Sequence, residues 1–243
     1  MVCIAPPIVM GDGIADAIEA FSKGDPVMIF DSDFRERETD LLWPAAKATP
    51  EIMRRLRKDC GGLLFLAIGD EIGEKFGLPW LQDIHSTSSI VADNPVLGQL
   101  ITNDLQYDSR SAFTLSLNHR ETYTGITARD RALTTRRFGE LAGEVYELSS
   151  SEAMEALGKE FRTPGHIPLC RESPGGLSKR QGHTELAVAI ARLSGNIPCT
   201  IGAEMLDPEG DGALSLQDAR KYAEEHGIPM ITGKDILESM DMA

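Results

Sequence analysis

No stretch of this 243-residue chain approaches the ~18 consecutive apolar residues that a membrane-spanning helix requires, so a transmembrane protein is not expected. The N-terminus also lacks a basic segment ahead of a long apolar run, and no signal peptide is expected. Cysteine is scarce. The four residues Cys3, Cys60, Cys170 and Cys199 are scattered without a CxxC pair, which argues against a zinc knuckle or a disulfide scaffold and fits a reducing cytoplasm. Positive charge is short as well: 24 Lys and Arg face 38 Asp and Glu, leaving a formal net charge of -14. The summed field repels nucleic acid and anionic lipid, so an anionic ligand needs a local basic pocket. Repeats and low-complexity linkers are absent. What is present is 42% hydrophobic residues, enough to bury a substantial core.

Short β-like runs alternate with amphipathic helices, the pattern of one mixed α/β domain. Ile14 to Lys23 reads as a helix ended by Gly24, and Val27 to Phe30 as a buried strand. Thr49-Pro50-Glu51 is a helix start with a hydroxyl cap, and that helix should stop near Gly61-Gly62. Leu63 to Ile68 reads as a strand, Asp70 to Phe76 as a helix closed by Gly77, and Ala112 to Asn118 as a strand. Ser151 to Phe161 and Thr184 to Ser194 have helical periodicity, Cys199 to Met205 is β-like, and Ser215 to His226 is a final capped helix. Residues Ser86 to Asp108 are polar, broken by Pro95 and unassigned.

Two polar segments carry the chemistry. Asp31-Ser-Asp-Phe-Arg35-Glu36-Arg-Glu38-Thr-Asp40 follows an apolar strand, where a chain leaving a sheet commonly builds its ligand loop. Arg180-Gln181-Gly182-His183-Thr184-Glu185 places a basic residue, a His and a Thr at a helix start, where free N–H groups favour anions. Together they suggest a metal and phosphate site; taken alone, the first is a solvated acidic turn. Glu204 closes a run in which Ile197, Pro198, Cys199, Ile201 and Ala203 are apolar. A carboxylate there is either raised in pKa, as general acids and bases are, or salt-bridged to a nearby Arg. His166 follows Pro164-Gly165, which reads as an exposed, rigid turn. The stretch Asp207 to Asp218 mimics a calcium-binding EF-hand loop. It is rejected because a β-like run precedes it and position twelve is Asp rather than Glu.

These residues resemble the 3,4-dihydroxy-2-butanone 4-phosphate synthases of riboflavin biosynthesis, over about Ile14 to Leu237. The resemblance lies in the Asp31 to Asp40 block, Thr124-Gly-Ile-Thr-Ala-Arg-Asp-Arg131, Arg162-Thr-Pro-Gly-His166, the Arg180 to Glu185 block and Ala203-Glu204-Met205. Spacing agrees too, with fourteen positions from His166 to Arg180 and twenty-one from His183 to Glu204. The resemblance implies an α+β fold of one domain, a three-layer α/β/α arrangement around a mixed sheet, over residues 14–243 after a tail at 1–13. It implies a lyase that turns D-ribulose 5-phosphate into L-3,4-dihydroxy-2-butanone 4-phosphate and formate, with Mg²⁺ (or Mn²⁺) as cofactor. Glu36 and His183 would be the metal ligands. Arg35, Glu36, Asp40, Arg180, Gln181, Gly182, His183, Thr184 and Glu204 would contact substrate, and His166 and Glu204 would be catalytic. A cytoplasmic homodimer is implied, with His166 able to reach a site across the subunit interface. The Ser86 to Asp108 stretch is longer than in bacterial members and resembles the archaeal branch, and Phe65 and Ala67 stand in a strand where some relatives carry cysteines. No GTP cyclohydrolase extension follows, so a monofunctional enzyme is expected. The Thr124 to Arg131 block reads either as a substrate-proximal segment or as a turn with an Asp130/Arg131 ion pair. A sugar-phosphate isomerase or aldolase would share the metal and phosphate pocket; a non-catalytic sugar-phosphate-binding protein would not need both His166 and Glu204.

Overall fold

The computed structural model describes residues 13–101, 104–105, 108 and 110–242. The N-terminal tail expected at 1–13, Gly13 aside, and several positions of the Ser86 to Asp108 stretch lie outside them. Among the described residues there are seven strands: β1 Val27–Phe30, β2 Thr39–Pro44, β3 Phe65–Ile68, β4 Phe113–His119, β5 Phe161–Arg171, β6 Cys199–Glu204 and β7 Met230–Thr232. They form one mixed sheet in the order β4-β5-β3-β6-β2-β1-β7. The β3/β5 and β1/β7 pairs are parallel and the other four are antiparallel.

Side chains alternate across the sheet, and the helices follow from that alternation. Met28, Leu41, Trp43, Leu66 and Ile68 face one core; Val27, Ile29, Leu42, Phe65 and Ala67 face the other. The first core is closed by α2 Pro50–Asp59, α3 Asp70–Lys75, α7 Ala128–Glu144, α8 Ser150–Glu160 and α10 Leu216–His226. The second is closed by α1 Gly13–Lys23, α9 His183–Leu193 and α11 Gly233–Ser239. With helices on both faces, β1 and β3 are buried at every position, which is why their sequences read as unbroken apolar runs. This is the single-domain, three-layer arrangement expected.

Helix starts obey their local signals. Thr49 accepts from the Ile52 N–H, Ser149 and Glu152 form a capping box, and Ser215 caps α10. The EF-hand rejection holds, because strand β6 leads into the loop and Asp207 Oδ1 accepts the Glu209 N–H within a turn. Boundaries move by a residue or two: β3 begins at Phe65 rather than Leu63, α3 ends at Lys75, and α9 begins at His183. The described part of the unassigned stretch supplies two short helices, α5 Ser88–Asp93 and α6 Pro95–Gln99, preceded by α4 Leu81–Ser86.

Two expectations need correction. Asp40 is not part of the polar loop but lies within β2, opposite Glu204 of β6. His166 is exposed as expected, yet it sits inside β5 rather than after a turn. Register shifts in the β4/β5 pair bring Gly165 so close to β4 that a Cβ there would lie 1.9 Å from the Leu117 carbonyl carbon. Only glycine permits that approach.

Candidate active site

At the end of β1 the chain passes to Asp31, whose buried carboxylate accepts the backbone N–H of Glu36 at 2.9 Å and of Glu38 at 3.0 Å. Asp31 thereby folds the acidic loop and fixes the two glutamates beside it. Helix α9 begins at His183 from the other side, with Gly182 as an N-cap that offers no side chain to the first turn. Those N–H groups are left to an outside acceptor. His183 Nδ1 lies 2.8 Å from Asp40 Oδ2, and Nε2 lies 3.5 Å from Glu36 Oε2 and 3.6 Å from Asp31 Oδ2. Side-chain ligand atoms of Glu36, Glu38 and His183 all fall within 4.8 Å of one another.

The electrostatics of this cluster are unresolved without a cation. Burial pushes the His183 imidazole down, but Asp40 outweighs it, helped by Asp31 and Glu36, and the group is pushed up to about 10. Its Nε2 is buried and makes no hydrogen bond. A buried nitrogen that makes no hydrogen bond, facing carboxylate oxygens while its other nitrogen is held by Asp40, is a donor set that could hold a divalent metal ion. The residues fit a hard cation.

Glu204 ends β6 at the register position opposite Asp40. Burial first, and then repulsion from Asp40, push its carboxyl up to about 7. Gly62 packs directly over it, where a Cβ would come 2.5 Å from Glu204 Oε2, and the Gly62 N–H donates to the Glu204 carbonyl at 3.0 Å. Of the alternatives left open by the sequence, the raised pKa is found; among the described residues Glu204 makes no salt bridge. Glu36, Arg180, His183, Thr184 and Glu204 line one cavity of about 210 Å³ with Phe65 and Cys170.

Arg180 is anchored rather than free. Its Nε donates to Asp108 Oδ2 at 2.8 Å and its guanidinium also reaches Glu185 Oε2 at 2.6 Å, while Arg35 reaches the same Asp108 oxygen at 3.1 Å. Glu185 is fully buried and also accepts the Ser173 N–H. Asp108 therefore bridges the two arginines beside the cavity. Arg35 and the exposed Gln181 border a neighbouring cavity instead.

His166 is not brought to this cluster. It lines a separate cavity of about 250 Å³ with Met53, Leu56 and Ala203, residues of the first core, whereas Phe65 and Cys170 belong to the second. The two cavities are separate, with Leu63 bordering both. The expected Asp130/Arg131 ion pair is also absent: Asp130 accepts instead from the N–H groups of Gly125 and Thr124 and the Thr124 hydroxyl, organising its own loop. Sequence reasoning had not singled out Glu38 as a ligand, Asp31 as the organiser of the loop, or Asp108 and Glu185 as anchors of Arg180. Asp31 and Glu38 stood in the acidic block, but only the fold separates the acid that shapes the loop from those it presents.

A family model for 3,4-dihydroxy-2-butanone 4-phosphate synthase matches residues 15–239. The chain belongs to this family. A 3,4-dihydroxy-2-butanone 4-phosphate synthase of Methanothermobacter thermautotrophicus is 41% identical over 226 residues, covering 93% of this chain and 95% of the relative. One from Archaeoglobus fulgidus is 42% identical, with 92% of each chain covered. Among solved structures, a 3,4-dihydroxy-2-butanone 4-phosphate synthase in complex with two magnesium ions superposes with a TM-score of 0.72 at 27% identity, covering 94% of this chain and 96% of that one. The family assigns the chain to the lyases of riboflavin biosynthesis and sets aside the isomerase, aldolase and non-catalytic readings.

Proposed function

We propose that this chain converts D-ribulose 5-phosphate into L-3,4-dihydroxy-2-butanone 4-phosphate and formate at the cavity shared by Glu36, His183 and Glu204. The observation that carries the reading is the pairing, in one 210 Å³ space, of a hard-cation donor set with a carboxyl raised to about 7. The two products account for every atom of the substrate, so the reaction needs proton movement and skeletal rearrangement but no oxidant.

Glu36 and His183, joined by Glu38, would hold Mg²⁺ or Mn²⁺, which when bound supplies positive charge beside the ketose oxygens where negative charge develops. Asp40 orients His183 through Nδ1, leaving Nε2 toward the carboxylates. Glu204, near half-ionised at neutral pH, is suited to take a proton from the sugar and return it. The uncapped start of α9, with Thr184 and the anchored Arg180, is suited to the phosphate, while Arg35 and Gln181 border the neighbouring cavity. His166 serves the same substrate only if a second copy supplies it, because within one copy it lines a separate cavity from Glu36, His183 and Glu204. A homodimer is therefore part of the reading. The half-exposed Leu63, which borders both cavities, and the exposed Phe113 at the rim of the first support it, since a second copy would cover them. Buried, unpaired Cys60, Cys170 and Cys199 accord with a cytoplasmic protein.

The deciding experiment is incubation of the protein with Mg²⁺ and ribulose 5-phosphate. Stoichiometric formate is expected, and its absence with intact, metal-loaded protein overturns the reading. A second expectation concerns metal uptake. His183 carries a proton up to about pH 10 in the metal-free protein and must lose it to coordinate. Cation binding at pH 7–8 should release about one proton per ion, measured by calorimetry in buffers of different ionisation enthalpy, and affinity should fall on acidification from pH 8 to 5.5. A flat profile excludes His183 as a ligand.

A further inference from the structure

The cavity that holds His166 contains charge that the chain does not answer. Arg131 stands in the first turn of α7, its Nε buried and without a hydrogen bond, and among the described residues it makes no ion pair. Arg57, in the last turn of α2, borders the same cavity and likewise makes no ion pair or hydrogen bond among the described residues. Burial first, and then repulsion from Arg57, hold the Arg131 guanidinium below its ordinary range. Two cations thus line one cavity of about 250 Å³ in a chain of net charge -14, and none of the residues that line it is acidic. Desolvating a guanidinium without a partner is costly, and the position is relieved by an anion that enters the cavity. Gly61 and Gly62 add no side chains of their own to its lining.

We propose that the His166 cavity is an oxyanion site in which Arg131 and Arg57 hold a phosphate group. A dianion matches two uncompensated cations where a single carboxylate matches one, and guanidinium N–H groups pair with phosphate oxygens in the forked geometry that arginine favours. The site stands on the geometry of the chain. In the proposed reaction the substrate's one phosphate lies at the start of α9, so the anion here is a second one, and inorganic phosphate is its simplest form.

The test uses the whole protein with inorganic phosphate as probe, by calorimetry and thermal melting against a chloride control. Arg131→Gln removes an unanswered, partly buried charge, so in phosphate-free buffer the variant should melt at or above wild type. Phosphate affinity should fall ~10–100-fold in Arg131→Gln, with a smaller loss in the more exposed Arg57→Gln and partial recovery in Arg131→Lys. KM for ribulose 5-phosphate should stay near wild type in Arg131→Gln while phosphate binding weakens; a KM raised in step with the lost phosphate affinity would make this the substrate's own phosphate subsite and overturn the assignment to a second anion. Phosphate affinity equal to wild type in both glutamine variants, or a wild type that binds no phosphate, overturns the proposal. Should Arg131→Gln fail to fold, Arg57→Gln and Arg131→Lys carry the comparison. Formate release by wild type is measured separately, so a failure of the catalytic reading is not confused with a failure of this one.

Discussion

Replacing His183 or Glu36 by alanine is expected to abolish divalent-cation binding and to lower kcat/KM by about 10³-fold or more, the several kcal/mol that a cation beside a developing oxyanion supplies. Both residues present atoms within one 4.8 Å cluster, and Glu38 alone leaves too few donors to hold the ion. The two variants differ in their structural consequences. His183 shields the buried Asp40 through the 2.8 Å contact at Nδ1, so its removal strands a carboxylate and costs roughly 3–5 kcal/mol of stability. Glu36 is more exposed, with 27% of its side chain accessible, and among the described residues its carboxylate makes only the 3.5 Å contact with His183 Nε2. Glu36→Gln is therefore the cleaner probe: it should melt close to wild type while cation binding and turnover are lost together. Wild-type turnover in Glu36→Gln removes Glu36 from the ligand set, and bound cation in His183→Ala removes His183.

Where the sequence spoke through apolar periodicity or a cap, it was right. Val27–Phe30 is a strand over the residues read, because both of its faces are buried and no polar position interrupts it. Helix α2 starts where Thr49-Pro50 placed it. Helix α7 was not legible, since its buried face is built largely from Ala132, Thr134, Thr135, Gly139 and Ala142, small or hydroxylated residues with little hydrophobic contrast. Strand β2 was hidden by its first two residues: Thr39 and Asp40 read as the end of an acidic loop, yet both are buried in the sheet. Strand β5 was hidden by Pro164-Gly165, which signal a turn but here sit in an irregular strand that lets Gly165 touch β4. The same limits govern the site. Residue types marked the two polar segments, Glu204 and His166 as candidates, and the family resemblance gave Glu36, His183, Glu204 and His166 their expected roles. Only the three-dimensional arrangement showed that His166 lines a cavity apart from that of Glu36 and His183, that Asp108 bridges Arg35 and Arg180, and that Arg131 makes no ion pair among the described residues.

Glu204→Gln should separate activity from stability in opposite directions. The wild-type carboxyl is held at about 7 against an ordinary 4.5, by burial first and by the nearby Asp40 second. The folded protein therefore keeps this proton to a higher pH than the unfolded chain does. Between pH 4.5 and 7 the native state binds more protons than the unfolded state, so this group's contribution to stability falls as pH rises and levels off above about 7. The full penalty in the metal-free protein is on the order of 1–3 kcal/mol. Glutamine fills the same space without ionising, so the variant should match wild type near pH 4 and exceed it by about 1–3 kcal/mol at pH 8, read from denaturant melts in the presence of a chelator. Turnover should move the other way: a group that transfers protons contributes ~10²–10⁴-fold, and kcat should fall by that much while KM changes little. The limb of the pH–rate profile that belongs to this carboxyl should vanish from the residual activity. A variant that keeps wild-type kcat makes Glu204 a structural acid, and one that loses activity without gaining stability at pH 8 shows that its proton is not held as the burial and the Asp40 register require.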